Sequence, residues 1–188
     1  MKATLDAVIW WMGHIGVPHD TYRTIQEIEA TLAKDFGKHV HDMGDAVRQI
    51  DMSQFAEVKA LAKYKNELCE VMNTVIFMLF DLEPMERHTW KLKFFERDCL
   101  NRLQEFSPDS VTEKMMQKLD GHFSDPAVSL ENIEALPGPA IVKHLSRWLW
   151  AARSCGQLAA VVKPRMEEFA RLRADLESLE REKALVSS

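Results

Sequence analysis

Phe36-Gly-Lys-His-Val-His-Asp-Met-Gly-Asp-Ala-Val-Arg-Gln-Ile50 carries its apolar side chains at 36, 40, 43, 47 and 50. Steps of four and three make a heptad seam, the pattern of a helix that packs along one stripe. A half-buried strand would instead alternate at every second residue, and no run of alternating β-branched residues occurs in the chain. Gly37 and Gly44 weaken the seam, each by about 1 kcal/mol relative to alanine. Asp20 or Thr21 can cap the helix upstream, and Ile25, Ile28 and Leu32 extend its stripe. Downstream the pattern passes through Phe55, Val58 and Leu61 to Leu68, Met72, Val75, Ile76 and Leu79. The part from Val71 to Phe80 is apolar on most faces and is expected to be buried. It is far shorter than the roughly 20 apolar residues that span a bilayer. Pro84 is expected to end the segment.

Shorter helical periods follow. Thr89 to about Phe106 reads as one helix, stopped by Ser107-Pro108. Asp109 and Ser110 can cap the next, to Leu119. Asp125-Pro126 opens a turn before a short helix near Leu130–Ala135. Pro137-Gly138-Pro139 is the clearest break. A long helix from Ala140 to Val162 comes next, then Pro164, then a last helix. There Phe169, Leu172, Leu176 and Leu179 step three, four, three, a second heptad seam among Glu and Arg.

The fold class predicted is all-α: a compact bundle of short helices at the end of an antiparallel two-helix coiled coil. Its parts are an N-terminal extension (1–19), a first coiled-coil helix (20–61), a helical domain (62–163) and a second coiled-coil helix (164–188). The last helix is long enough to cover the first seam only from about Phe36 to Leu61. Ile25, Ile28 and Leu32 are then left without a mate in this chain. That motivates an alternative reading, a helical scaffold pairing with another protein through the free seam.

The 188 residues are 46% apolar and 28% charged, a globular balance. A net charge of −5 gives no general reason to expect nucleic acid. Cys69, Cys99 and Cys155 are sparse and far apart, which suits reduced thiols in a cytosolic protein. No phosphate-binding GxxxxGK[ST] or GxGxxG and no GxSxG elbow is present, so the expectation is a non-enzymatic protein without cofactor. His39 and His41 point about 200° apart on a helix, a poor metal pair. The carboxylates of residues 167–182 read as a solvated helix face. Met72, Met78, Met115 and Met116 read as core filler.

Charge distribution stands out. Residues 135 to 166 hold no Asp or Glu, but include Lys143, Arg147, Arg153, Lys163 and Arg165. At 100° per residue, Ile141, Leu145, Trp148, Leu149, Ala152 and Cys155 share one face. Lys143, Arg147 and Arg153 fall opposite, with Trp150 among them. Arg and Trp are frequent interface anchors, and a basic face suits an acidic partner. Lys59, Lys63 and Lys65 form a second basic group, diluted by Glu57, Glu67 and Glu70.

These features, in order, resemble the microtubule-binding domain at the stalk tip of dynein heavy chains. Ile50 to Lys59 (IDMSQFAEVK) is similar to the end of that family's first stalk helix. Trp90-Lys91 resembles its Trp-Lys helix start. Cys99 to Val111 (CLNRLQEFSPDSV) resembles its Phe-Leu helix, aromatic, acidic turn and apolar residue. Phe123-Ser124-Asp125-Pro126 is similar to its aromatic-x-Asp-Pro turn. Leu145-Ser146-Arg147-Trp148-Leu149 resembles its Leu-Cys-x-Trp-Val, and Val162-Lys163-Pro164-Arg165 its Val-x-Pro-Lys. Trp148 stands sixteen residues before Pro164. Tyr64 and Lys65 stand where the family has a proline pair. The resemblance implies docking on acidic tubulin through the first and last domain helices, with affinity tuned by the register of the stalk helices. The implied partners are the microtubule and the rest of a dynein heavy chain, with neither membrane nor nucleic acid. The implied location is cytoplasm and cytoskeleton, or the ciliary axoneme. The matching basic positions are Lys63, Lys65, Lys143, Arg147 and Arg153. The helical wheel adds Trp150, and Trp148 is expected in the core.

Overall fold

A computed structural model describes residues 19–61, 65–82 and 89–186. The secondary structure among them is helical, with no strand. The eight α-helices are α1 (His19–Arg48), α2 (Met52–Ala60), α3 (Asn66–Phe80), α4 (Thr89–Phe94), α5 (Arg97–Glu105), α6 (Glu113–Ser124), α7 (Leu130–Ala135) and α8 (Ala140–Val186). Two 3-10 turns, Pro108–Ser110 and Pro126–Val128, lie between them.

The chain divides into two units. One comprises residues 36–157, and among the described residues it holds all of the buried apolar core. The other comprises residues 1–35 and 158–188. Its described elements are the beginning of α1 and the end of α8. The seam residues Ile25, Ile28, Leu32, Phe169, Leu172, Leu176 and Leu179 have side chains outside the described set. So do the N-terminal extension, Lys63 and Pro84.

Within the 36–157 unit, α3 is the central element. Val71, Met72, Val75, Ile76, Phe77, Met78 and Leu79 are all buried, as its apolar faces require. It packs against α4, α5, α6 and the turn at 126–128. The helix ends at Asp81 in the left-handed region, φ 51°. Aspartate tolerates that conformation better than most side chains. Here its N–H donates to the Phe77 carbonyl at 2.9 Å and its carboxylate accepts from Lys114 Nζ at 2.8 Å.

Three stretches expected to be single or differently bounded helices are resolved by local chemistry. The seam of 20–61 breaks after Arg48, because the Asp51 side chain accepts from the backbone N–H groups of Ser53 and Gln54 and starts α2. Met43, Val47 and Ile50 of the seam are buried in the unit, while Val40 is exposed. Thr89–Phe106 splits at Phe95-Glu96. Neighbouring residues on one unbroken helix point about 100° apart. The break lets Phe94 stack on Phe55 (centroids 4.8 Å) while Phe95 meets the same ring edge-on at 6.4 Å. Thr112, rather than Asp109 or Ser110, caps α6 by accepting from Met115 N–H at 3.2 Å. That helix runs through Gly121 to Ser124.

The long helix and the last helix, expected to part at Pro164, are one helix of 47 residues with that proline inside it. A proline there removes one intrahelical bond, a local cost that does not by itself end a helix. Gly156 is a point where the Met116 side chain of α6 packs onto the backbone of α8. A Cβ at this position would overlap Met116 Sδ and sit 3.0 Å from Val111 Cγ1.

Candidate protein-interaction face

The first turns of α8 follow from Pro137-Gly138-Pro139: Val142 N–H donates to the Pro139 carbonyl at 3.1 Å. From there the amphipathic pattern sorts the side chains. Ile141, Leu145, Trp148, Leu149, Ala152 and Cys155 are fully buried. Trp148 meets Phe106 edge-to-face at 5.0 Å, tying α8 to the end of α5. The opposite face carries Lys143, Arg147, Trp150 and Arg153, as the wheel predicts.

That face is not simply basic. Arg147 makes a two-point pair with Glu134 of α7, with Nη2 to Oε2 at 2.7 Å. The hydrogen bond from Arg147 holds the Glu134 carboxyl below its ordinary range. Lys143 Nζ donates to the Glu134 backbone carbonyl at 2.7 Å. Arg153 Nε donates to Asp120 of α6 at 2.6 Å, and its guanidinium lies over the rings of Phe123 (5.9 Å) and Trp150 (5.5 Å). Phe123 and Trp150 meet edge-on at 5.1 Å, leaving Trp150 39% exposed.

Glu134 and Asp120 are the residues that sequence reasoning missed. Glu134 sits just before the proline-rich break, so a chain reversal there returns it to Arg147. Asp120 lies 33 residues from Arg153 and no local spacing joins them. Exposed pairs of this kind contribute little to stability, on the order of 0–1 kcal/mol. Their effect on recognition is larger. Arg147 and Arg153 each already hold one acid of this chain, whereas Lys143 Nζ bonds a carbonyl.

Lys65 is the N-cap residue of α3, exposed, and makes no side-chain capping bond. It lines one cavity together with Lys143. The first and last helices of the 62–163 segment therefore present a basic residue each to one place. Arg147 and Trp150 border a different cavity, about 370 Å³, shared with Lys38, Asp42, Asp45 and Glu134. His39 and His41 each face an acid on their own helix, Asp42 at 3.8 Å and Asp45 at 3.2 Å.

No family model matches this chain, and no curated protein is found that matches it.

Chemical reactivity is low where thiols are concerned. Cys69, Cys99 and Cys155 are buried. Burial pushes the Cys99 thiol up to about 12 and the Cys155 thiol to about 11, away from the thiolate that a nucleophile needs.

One buried polar cluster bears on stability. His122 of α6 is buried, with Nδ1 3.1 Å from Thr74 Oγ1 and 3.9 Å from a Glu70 carboxylate oxygen. Lys118 Nζ reaches the same oxygen at 3.3 Å. The His122 ring first, then Lys118, hold the Glu70 carboxyl at about 2, against an ordinary 4.5. A depressed carboxyl stabilises the fold above its unfolded pKa, and that contribution is lost as pH falls through the folded value. The side chain is 39% exposed, so solvent screening reduces the effect to on the order of 1 kcal/mol. Urea midpoints of the parent and of Glu70→Gln should therefore converge as pH falls from 4.5 to 2. A constant gap across that window would remove Glu70 as the source.

Proposed function

We propose that this chain is a non-enzymatic microtubule-binding module of a dynein-like motor, docking on acidic tubulin through Lys63, Lys65, Lys143, Arg147, Trp150 and Arg153. The observation that carries the reading is the convergence of Lys65 and Lys143, from the first and last helices of the segment, on one cavity. The ordered resemblance adds to it, and several of its motifs sit at helix boundaries: Asp51 caps α2, Trp90-Lys91 lies in the first turn of α4, and Ser107-Pro108 and Asp125-Pro126 open the two 3-10 turns. Trp148 is buried within α8, and the Val162–Arg165 motif lies inside that helix rather than at its start. Antiparallel pairing of 20–61 with 164–188, and tuning of affinity by their register, belong to the same proposal. The unit that combines residues 1–35 with 158–188 supports pairing over 20–35, while residues 36–61 belong to the other unit.

The test is co-sedimentation of the chain with microtubules at two salt concentrations. Binding steered by opposite charges weakens as salt rises, and a chain that stays in the supernatant at both refutes the reading. Glu134→Gln sharpens it. This change frees Arg147 from its own acid, and pelleting should tighten by a few-fold at low salt. Unchanged or weaker pelleting would mean that Arg147 does not meet the partner.

A further inference from the structure

The cavity that Lys65 and Lys143 share is apolar inside. Leu61, Leu68, Leu136, Pro139 and Val142 are among its walls, and its volume is about 150 Å³. A recess of this size has room for a guest about as large as benzene. Its position has a local cause. The extended backbone of Leu61 and Leu136 ends α2 and α7. Pro137-Gly138-Pro139 then keeps α8 from closing directly on α7, and Val142 and Leu68 form the floor, both nearly fully buried. The rim is charged: Lys65 and Lys143 against Glu67. Among the described lining residues two cations thus stand against one acid, and the Lys143 ammonium donates to a carbonyl.

We propose that this cavity receives one apolar side chain of an acidic protein segment, the side chain entering between Lys65 and Lys143 while flanking carboxylates meet the two ammonium groups. This deepens the proposed function and rests on its reading of the basic helices as a surface for an acidic partner. It adds that charge alone does not make the contact. A polyanion without an apolar residue lacks the guest, and a neutral apolar segment lacks the carboxylates that would offset the two lysines. Burying a phenylalanine-sized side chain contributes roughly tenfold or more in affinity, and it does so without salt dependence. The lysines supply the salt-dependent part.

Gly138 makes the inference testable. It lines the cavity, and a Cβ added there meets nothing within 4 Å. A side chain can therefore start at 138 without a clash at its Cβ, and Gly138→Phe adds a ring to the lining of the cavity. The probes are two short capped polyglutamate peptides, one with a single central phenylalanine and one with alanine in its place, titrated into the full chain and followed by methyl resonances. The phenylalanine peptide should shift Leu68, Leu136 and Val142 and bind roughly tenfold tighter than its alanine counterpart. Gly138→Phe should remove that advantage and leave the weak alanine-peptide binding alone. Equal binding of the two peptides, or shifts confined to other methyls, would overturn the proposal. Circular dichroism of Gly138→Phe checks that the fold persists.

The microtubule arm is separate. If the parent pellets and Gly138→Phe pellets equally, the docking reading stands and the cavity has no part in it, which overturns the proposal. If the parent fails to pellet yet prefers the phenylalanine peptide, the microtubule reading falls and the cavity keeps its ligand class.

Discussion

A chain carrying Lys143→Glu, Arg147→Glu and Arg153→Glu should remain in the supernatant at a microtubule concentration that pellets the parent. The three changes turn a face with three cations into one with three anions. Toward an acidic lattice the sign of the long-range interaction then reverses, and like charges at an interface cost several kcal/mol. Fold stability should change far less. Arg147 and Arg153 pair with Glu134 and Asp120 near the surface. Replacing each exposed attraction by an exposed repulsion costs on the order of 1 kcal/mol or less. Lys143 loses its bond to the Glu134 carbonyl and its attraction to the Glu134 carboxylate. Helical content by circular dichroism is therefore expected to match the parent. Pelleting at parental levels would sink the assignment of this face. Loss of helicity along with loss of pelleting would call for the single changes, of which Arg147→Glu is the most exposed.

The second large effect is on folding. Trp148→Ala should destabilise the 36–157 unit by about 3–5 kcal/mol, a third or more of what a typical domain has to lose. The indole is fully buried and packs edge-on to Phe106. Its removal opens a cavity where α8 meets the end of α5. Trp150→Ala is the control two residues away. That ring is 39% exposed and touches mainly Phe123 and Arg153, so about 1 kcal/mol or less is at stake. Urea denaturation separates the two. If both cost the same, the division of α8 into a core face and a recognition face is wrong.

Much of that division is legible in the chain itself. The period of 3.6 along residues 140–155 sorts Ile141, Leu145, Trp148, Leu149 and Ala152 from Lys143, Arg147 and Trp150 without any structure. A helix face is a property of local spacing. The burial of Val71–Leu79 is legible for the same reason. Other features are not local. The Asp51 cap that interrupts the first seam competes with a heptad pattern that runs through it, and a short side chain with two backbone donors prevails. The bend at Phe95-Glu96 is set by Phe55, forty residues upstream, through ring stacking. Glu134 and Asp120 escape notice because an acid-free stretch is defined along the chain, whereas electrostatic neighbours are defined in space. Lys65 and Lys143 are likewise 78 residues apart, and only packing shows that they border one cavity.

The tight fit of α8 on α6 at Gly156 has a chemical side. The space that a side chain would occupy at 156 is taken by the thioether of Met116. A sulfoxide there would be bulkier and polar, with one added oxygen and little room to turn away from the helix backbone. Mild peroxide would thus act on this domain through a packing contact, while the buried, high-pKa Cys99 and Cys155 are spared.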